Sequence, residues 1–153
     1  MFTNDLFTSI DTSASGLTAQ RLRMDLIAGN IANVDTTRTP EGGPFKRQLA
    51  VFAARTDFMP RRFPFLPMKI KSKLATPGNG VKTLEIMKDP SPPRLKYDPS
   101  HPDANNEGYV AYPNIDVIKE MVDLISASRA YEANVTSINT AKSMSMKALE
   151  IGR

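Results

Sequence analysis

The sequence predicts an α+β fold: long N- and C-terminal amphipathic helices paired as a coiled-coil-like hairpin, with a small Pro-rich, β-containing middle region. Three observations predict it. All twelve prolines lie between Pro40 and Pro113, so both ends of the 153-residue chain are Pro-free. Each Pro-free end carries apolar residues at steps of three and four, the spacing of one face of an α-helix. The segment between them breaks into short apolar runs bounded by Gly and Pro, the pattern of short strands and turns.

The N-terminal arm places Leu6, Ile10, Leu17, Met24 and Ile31 on one heptad-like track, with Ala14, Ile27 and Ala28 beside it. Arg21, Arg23 and Asp25 fall mostly on the other side. A helix is expected from about residue 5 to about residue 33. Asp11 or Ser13 suits an N-cap, Gly16 is a mild flaw, and Asn30 and Asn33 suit a left-handed C-cap. Val34 to Pro40 reads as extended loop.

In the middle, Gly42-Gly43-Pro44 signals a turn and Phe45 to Ala54 a strand. Met68 to Leu74 alternates basic and apolar residues, Thr76 to Gly80 is a turn, and Val81 to Met87 is a strand, so 68–87 reads as a hairpin. Arg55 to Pro67 reads as irregular loop, Pro90 to Pro102 as a Pro-rich connector, and Gly108 to Tyr112 as one more short strand. The C-terminal arm then puts Val117, Met121, Leu124, Ser128, Tyr131, Val135 and Ile138 on one stripe. No Pro or Gly interrupts Asn114 to Ile151. A helix of that span is about 56 Å long, more than a domain of this size is wide, so it protrudes or lies along partners. The expected organisation is therefore an assembly helix over 1–33, a basic middle region over 34–113 and a second assembly helix over 114–153.

Composition narrows the function classes. With no Cys and one His, His101, disulfides and thiolate metal sites are excluded and no cofactor or metal is expected. No stretch reaches the ~18 apolar residues of a membrane span, and Met1 to Asp5 lacks the basic and apolar regions of a cleaved secretory signal. Asp98, Ser100, His101 and Asp103 are the residue types of a hydrolytic triad. A nucleophile and its base meet across a fold, however, and adjacent positions in a Pro-locked turn do not bring them together; no enzyme is expected. Gly78-Asn79-Gly80 lacks the Gly-Lys-Ser/Thr ending of a phosphate loop.

Net charge is +4, concentrated in the centre: residues 38–101 hold thirteen Lys/Arg and five Asp/Glu. Arg61-Arg62-Phe63-Pro64-Phe65 mixes charge with aromatics as single-strand binders do, which makes a basic nucleic-acid-binding module the alternative reading. Lys69, Lys71 and Lys73 alternate as a solvated edge does, and no nucleic acid or small-molecule substrate is expected. Two terminal helices packed only on each other leave apolar flanks bare. Neighbouring subunits that bury those flanks head to tail build a helical tube.

Residues 30–44, Asn30-Ile31-Ala32-Asn33-Val34-Asp35-Thr36 through Gly42-Gly43-Pro44, resemble the signature of the bacterial flagellar rod proteins, Ala-Asn-x-x-Thr after the first helix. Ala32, Asn33 and Thr36 carry the motif. Gly80-Val81-Lys82, Asp89-Pro90-Ser91-Pro92, Tyr97-Asp98-Pro99 and His101-Pro102-Asp103 are similar to the middle of the same proteins. Ser126 to Val135 and Asn139 to Met144 resemble their C-terminal helix. Thr37-Arg38-Thr39-Pro40-Glu41-Gly42-Gly43 stands where the common pattern has Gly and an aromatic, which favours the proximal-rod type, and Arg55 to Lys73 matches nothing recognisable. The resemblance implies a structural, non-enzymatic subunit of the periplasm-spanning rod, exported without a cleaved signal. It implies terminal helices that order on assembly and a signature that sets the bend between arm and centre. The implied partners are copies of the chain, other rod proteins, the membrane-ring and export base, and distal rod neighbours.

Overall fold

A computed structural model describes residues 2–55 and 80–151; of residues 2–7 and 151 it gives the helical backbone alone. The order is α1 (Phe2–Ala32), β1 (Gln48–Ala54), β2 (Val81–Lys88), β3 (Arg94–Tyr97), β4 (Tyr109–Tyr112) and α2 (Val117–Ile151). Among the described residues no helix is long and apolar enough to cross a membrane.

The two helices are antiparallel neighbours. Gly16 faces Asn134, Arg23 pairs with Asp123 and Asn30 with Glu120, so numbers rise along α1 as they fall along α2. α1 begins at Phe2, which leaves Asp11 and Ser13 inside the helix rather than capping it. α2 begins at Val117 because Asp116 caps it: its carboxylate accepts from the backbone N–H of Ile118 (3.0 Å) and Lys119 (3.4 Å). Ser and Thr hydroxyls within both helices donate to carbonyls one turn back, as Thr18 does to Ala14 and Thr140 to Thr136. Short polar side chains are thereby satisfied locally.

β1 and β2 form one antiparallel ribbon that lies on α1, and β3 and β4 form a second. β1 and β2 fall where sequence places strands, but the described partner of Val81–Lys88 is β1, with Leu49 opposite Met87 and Ala54 opposite Val81. Met68 to Leu74, the Thr76 to Asn79 part of the turn and most of the 55–67 loop lie outside the described residues. The pairing shifts at Val51/Phe52, where Glu85 and Thr83 are the partners and Leu84 is the extra residue of a bulge.

β3 is a correction. The Pro90 to Pro102 connector contains a four-residue strand that pairs with β4, Arg94 opposite Tyr112 and Tyr97 opposite Tyr109. Prolines on both sides bound it without falling inside it. Tyr97 and Tyr109 meet edge to face with centroids 5.3 Å apart. Val110, Pro113 and Ile115 are buried where β4 leads into α2.

Candidate assembly surface and junction

The buried line between the helices is not the apolar stripe. In α1, Gly16, Arg23 and Asn30 face or bond α2, and Ala19 and Ile27 are buried beside them. In α2 the matching line is Glu120, Ala127, Asn134 and Ala141. Leu17, Met24, Ile31 and Met121, Ser128, Val135 each sit one residue C-terminal to these lines, while Val117, Leu124, Tyr131 and Ile138 sit three residues N-terminal, at the edge of the contact face. Leu17, Met24, Ile31, Val117, Leu124, Tyr131, Val135, Ile138 and Ile10 are half-buried in the single chain, and Met121 is 52 % exposed. Leu6 lies in α1, but its side chain is outside the described residues.

The offset has a physical cause. Antiparallel helices approach most closely where side chains are small, and a Cβ on Gly16 would stand 3.0 Å from the Asn134 amide nitrogen. Of the other positions on the line, Ala127 and Ala141 are small, while Arg23, Asn30 and Glu120 are polar and bonded to the facing helix or to the chain entering β1. An apolar-pattern search passes over Gly, Asn, Glu and Ala, so it finds the flank beside the contact. Gly16→Leu is therefore expected to force the helices apart and lower Tm by several degrees, which thermal circular dichroism measures.

One flank of α2 stays bare. Ile118 is 76 % exposed, and Met121, Val122 and Ile125 extend its row along more than half of their own surface. At the far end Met144, Met146 and Leu149 are exposed as well, Leu149 at 75 %.

At the inner end of the helix pair sits a polar cluster. Asn30 and Glu120 are each 1 % exposed. The Asn30 amide clasps the backbone of Gln48, accepting from its N–H at 2.9 Å and donating to its carbonyl at 3.0 Å. The same amide nitrogen donates to Glu120 Oε2 at 3.2 Å. Arg47 donates to Glu120 Oε1 from Nε at 2.7 Å and pairs with it through its terminal nitrogen. Arg23 pairs with Asp123 at 3.1 Å, with Arg47 3.9 Å from the same carboxylate. None of Asn30, Arg47 or Glu120 is a predicted site residue; three polar residues 17 to 90 positions apart carry no periodic signal.

The signature residues shape the exit from α1. Among the described residues no non-glycine has a positive φ, so the expected left-handed C-cap is absent. Instead the Asn33 amide donates back to the Gly29 carbonyl at 2.9 Å, and the Thr36 hydroxyl donates to Asn33 Oδ1 at 3.2 Å. Ala32 is exposed at the last helical position. Thr37 then donates to Asp103 at 2.7 Å, tying this turn to the 98–103 loop.

The His101 loop is not built as a triad. The Ser100 hydroxyl donates to Asp98 at 2.7 Å, a bond that holds the Asp98 carboxyl below its ordinary range, while His101 Nδ1 accepts from the Asp103 backbone N–H at 3.1 Å. The middle region's basic side chains are partly paired internally: Arg47 with Glu120, and Lys88 with Glu41. The Lys88 bond and charge hold the Glu41 carboxyl below its usual value. Among the described residues no group of three or more His, Asp or Glu is placed to hold a metal.

Comparison with known proteins decides what this architecture belongs to. Residues 10–38 match the flagella basal body rod protein family, and residues 106–151 match the flagellar basal body rod FlgEFG protein C-terminal family. A flagellar basal-body rod protein FlgC from Borreliella burgdorferi is 52 % identical over 95 % of this chain and 97 % of its own length. The chain belongs to the FlgC family. FlgC proteins from Bacillus subtilis (48 % identity, 96 % of this chain, 98 % of theirs) and Escherichia coli O6:H1 (37 %, 97 % and 98 %) cover it almost end to end as well. Like the FlgC family at large, it is a structural subunit of the flagellar basal-body rod, not an enzyme.

Proposed function

We propose that this member of the FlgC family enters the rod through its two terminal helices, which pair as a coiled-coil-like hairpin and present their uncovered flanks to neighbouring subunits. The observation that carries this reading is the offset between stripe and contact. A helix pair that served only itself would turn its apolar stripe inward; here the contact line is small and polar, and the apolar residues lie half open beside it. Burying a large apolar side chain contributes roughly 1.5–3 kcal/mol, so Leu6, Ile10, Leu17, Met24, Ile31, Val117, Met121, Leu124, Tyr131, Val135 and Ile138 form the assembly interface.

In this reading 1–33 and 114–153 are assembly elements and 34–113 is the middle region they carry. Its partners are copies of itself, other rod proteins, the membrane-ring and export base on one side and distal rod neighbours on the other. With its neighbours the subunit forms a helical tube needed for motility. Ala32, Asn33 and Thr36 set the direction in which the chain leaves the first helix.

Ile125→Asp tests the proposal without touching the contact line, because Ile125 lies one turn beyond the interface residue Met121 on the same bare flank and is exposed in the single chain. The purified variant is expected to unfold at the wild-type Tm, while a strain carrying it fails to swim in soft agar and lacks rods by electron microscopy. Normal swimming would contradict the proposal.

A further inference from the structure

The β1–β2 ribbon is fastened to α1 at two separated places. At one end the Val81 N–H donates to the Ser15 hydroxyl at 3.0 Å. Gly80, at φ +106°, packs so tightly there that a Cβ would fall 2.1 Å from the same oxygen. At the other end Asn30 clasps Gln48, the first residue of β1. Ser15 and Asn30 are about 22 Å apart along the helix. The second fastening also takes in α2, because both oxygens of Glu120 are engaged, one by Asn30 and one by Arg47.

Apolar contacts tolerate sliding, whereas hydrogen bonds hold only over a narrow range of distance and angle. A buried ion pair, moreover, is poor at adding net stability, since desolvation offsets its attraction, but it does restrict geometry. The cluster draws together the last turn of α1, the first turn of α2 and Arg47, the residue that leads into β1.

We infer that Asn30, Arg47 and Glu120 are a positioning joint. They fix the angle of the β1–β2 ribbon against the helix pair more than they stabilise the fold, so that movement of the helices is carried to the middle region. The transmission rests on the reading of the helices as assembly elements; the fixed angle does not, and it is tested on the purified chain alone.

The protein has no cysteine, so paired spin labels can be placed freely. Glu85→Cys on β2 and Ser126→Cys on α2 are both exposed positions. Pulsed electron paramagnetic resonance then reports the ribbon-to-helix distance distribution. In the triple variant Asn30→Leu/Arg47→Met/Glu120→Met the ion pair is replaced at little net cost and the Gln48 backbone groups lose one partner, so Tm is expected to fall by no more than a few degrees while the distribution broadens about twofold. Arg47→Lys keeps the charge and loses the fork, and its width is expected to fall between the two. A wild-type width in the triple variant overturns the joint. Should the triple variant fail to fold, Arg47→Lys decides, and a wild-type width there overturns it equally. Swimming by the Ile125→Asp strain would sink the assembly reading and leave this result standing.

Discussion

Leu124→Asp is expected to leave cells non-motile and to remove the subunit from purified basal bodies. Leu124 is half-buried in the single chain, flanked by Glu120 and Ala127 on the contact line of α2. The substitution gives up roughly 1.5–3 kcal/mol of apolar burial per subunit and sets a carboxylate where neighbouring helices would exclude water. In the monomer the new charge reaches solvent on the open side, so Tm falls only a few degrees. In the rod the flank is covered, and the loss is repeated in every subunit. Motility in soft agar and immunoblots of isolated basal bodies measure it. A strain that swims at the wild-type rate with the variant in its rods would remove Leu124 from the interface.

The second large effect is on the monomer. Glu120→Ala strips Arg47 and Asn30 of their shared partner inside a site that is nearly closed to water. Removing one member of a buried pair costs about 3–5 kcal/mol when the surviving charge is left uncompensated, and Asp123, 3.9 Å from Arg47, places this site at the lower end of that range. For a chain of this length that lowers Tm by roughly 6–20 °C, read by circular dichroism. Glu120→Gln, which keeps an acceptor for Arg47 and the shape of the side chain, loses markedly less. A Glu120→Ala protein as stable as wild type would mean that the cluster is hydrated and of little consequence.

The helices were legible because they are long, free of Pro and Gly breaks in α2, and periodic. β1, β2 and β4 were legible because Gly and Pro punctuate them. β3 was not: Arg94-Leu95-Lys96-Tyr97 is four residues among prolines, and its strand character comes from pairing with Tyr109–Tyr112, a partner twelve or more residues away. The rotation of the helix contact was also hidden. Periodicity shows where apolar residues lie, and the contact line is made of Gly16, Asn30, Glu120, Ala127 and Asn134, whose burial depends on close approach and mutual hydrogen bonding. The signature residues were visible as a motif, but their bonding was not, since an Asn near a helix end suits a left-handed cap as readily as the back-bond to Gly29 that it makes.

Burial is uneven along the helix pair. Ile27, Asn30, Ile115, Glu120 and Ala127 gather at the inner end, whereas Ala141 is the one fully buried residue described beyond Ala127 on α2. An isolated helix gains little from propensity alone, so the outer turns depend on neighbours that bind only the ordered state. Hydrogen–deuterium exchange of the dilute monomer beside purified rods tests this directly. Protection is expected to be high near Asn30 and Glu120, to fade towards residues 2–12 and 138–151 in the monomer, and to become strong along both helices in the rod. Full protection of those outer turns in the dilute monomer would contradict the dependence of the terminal helices on their neighbours.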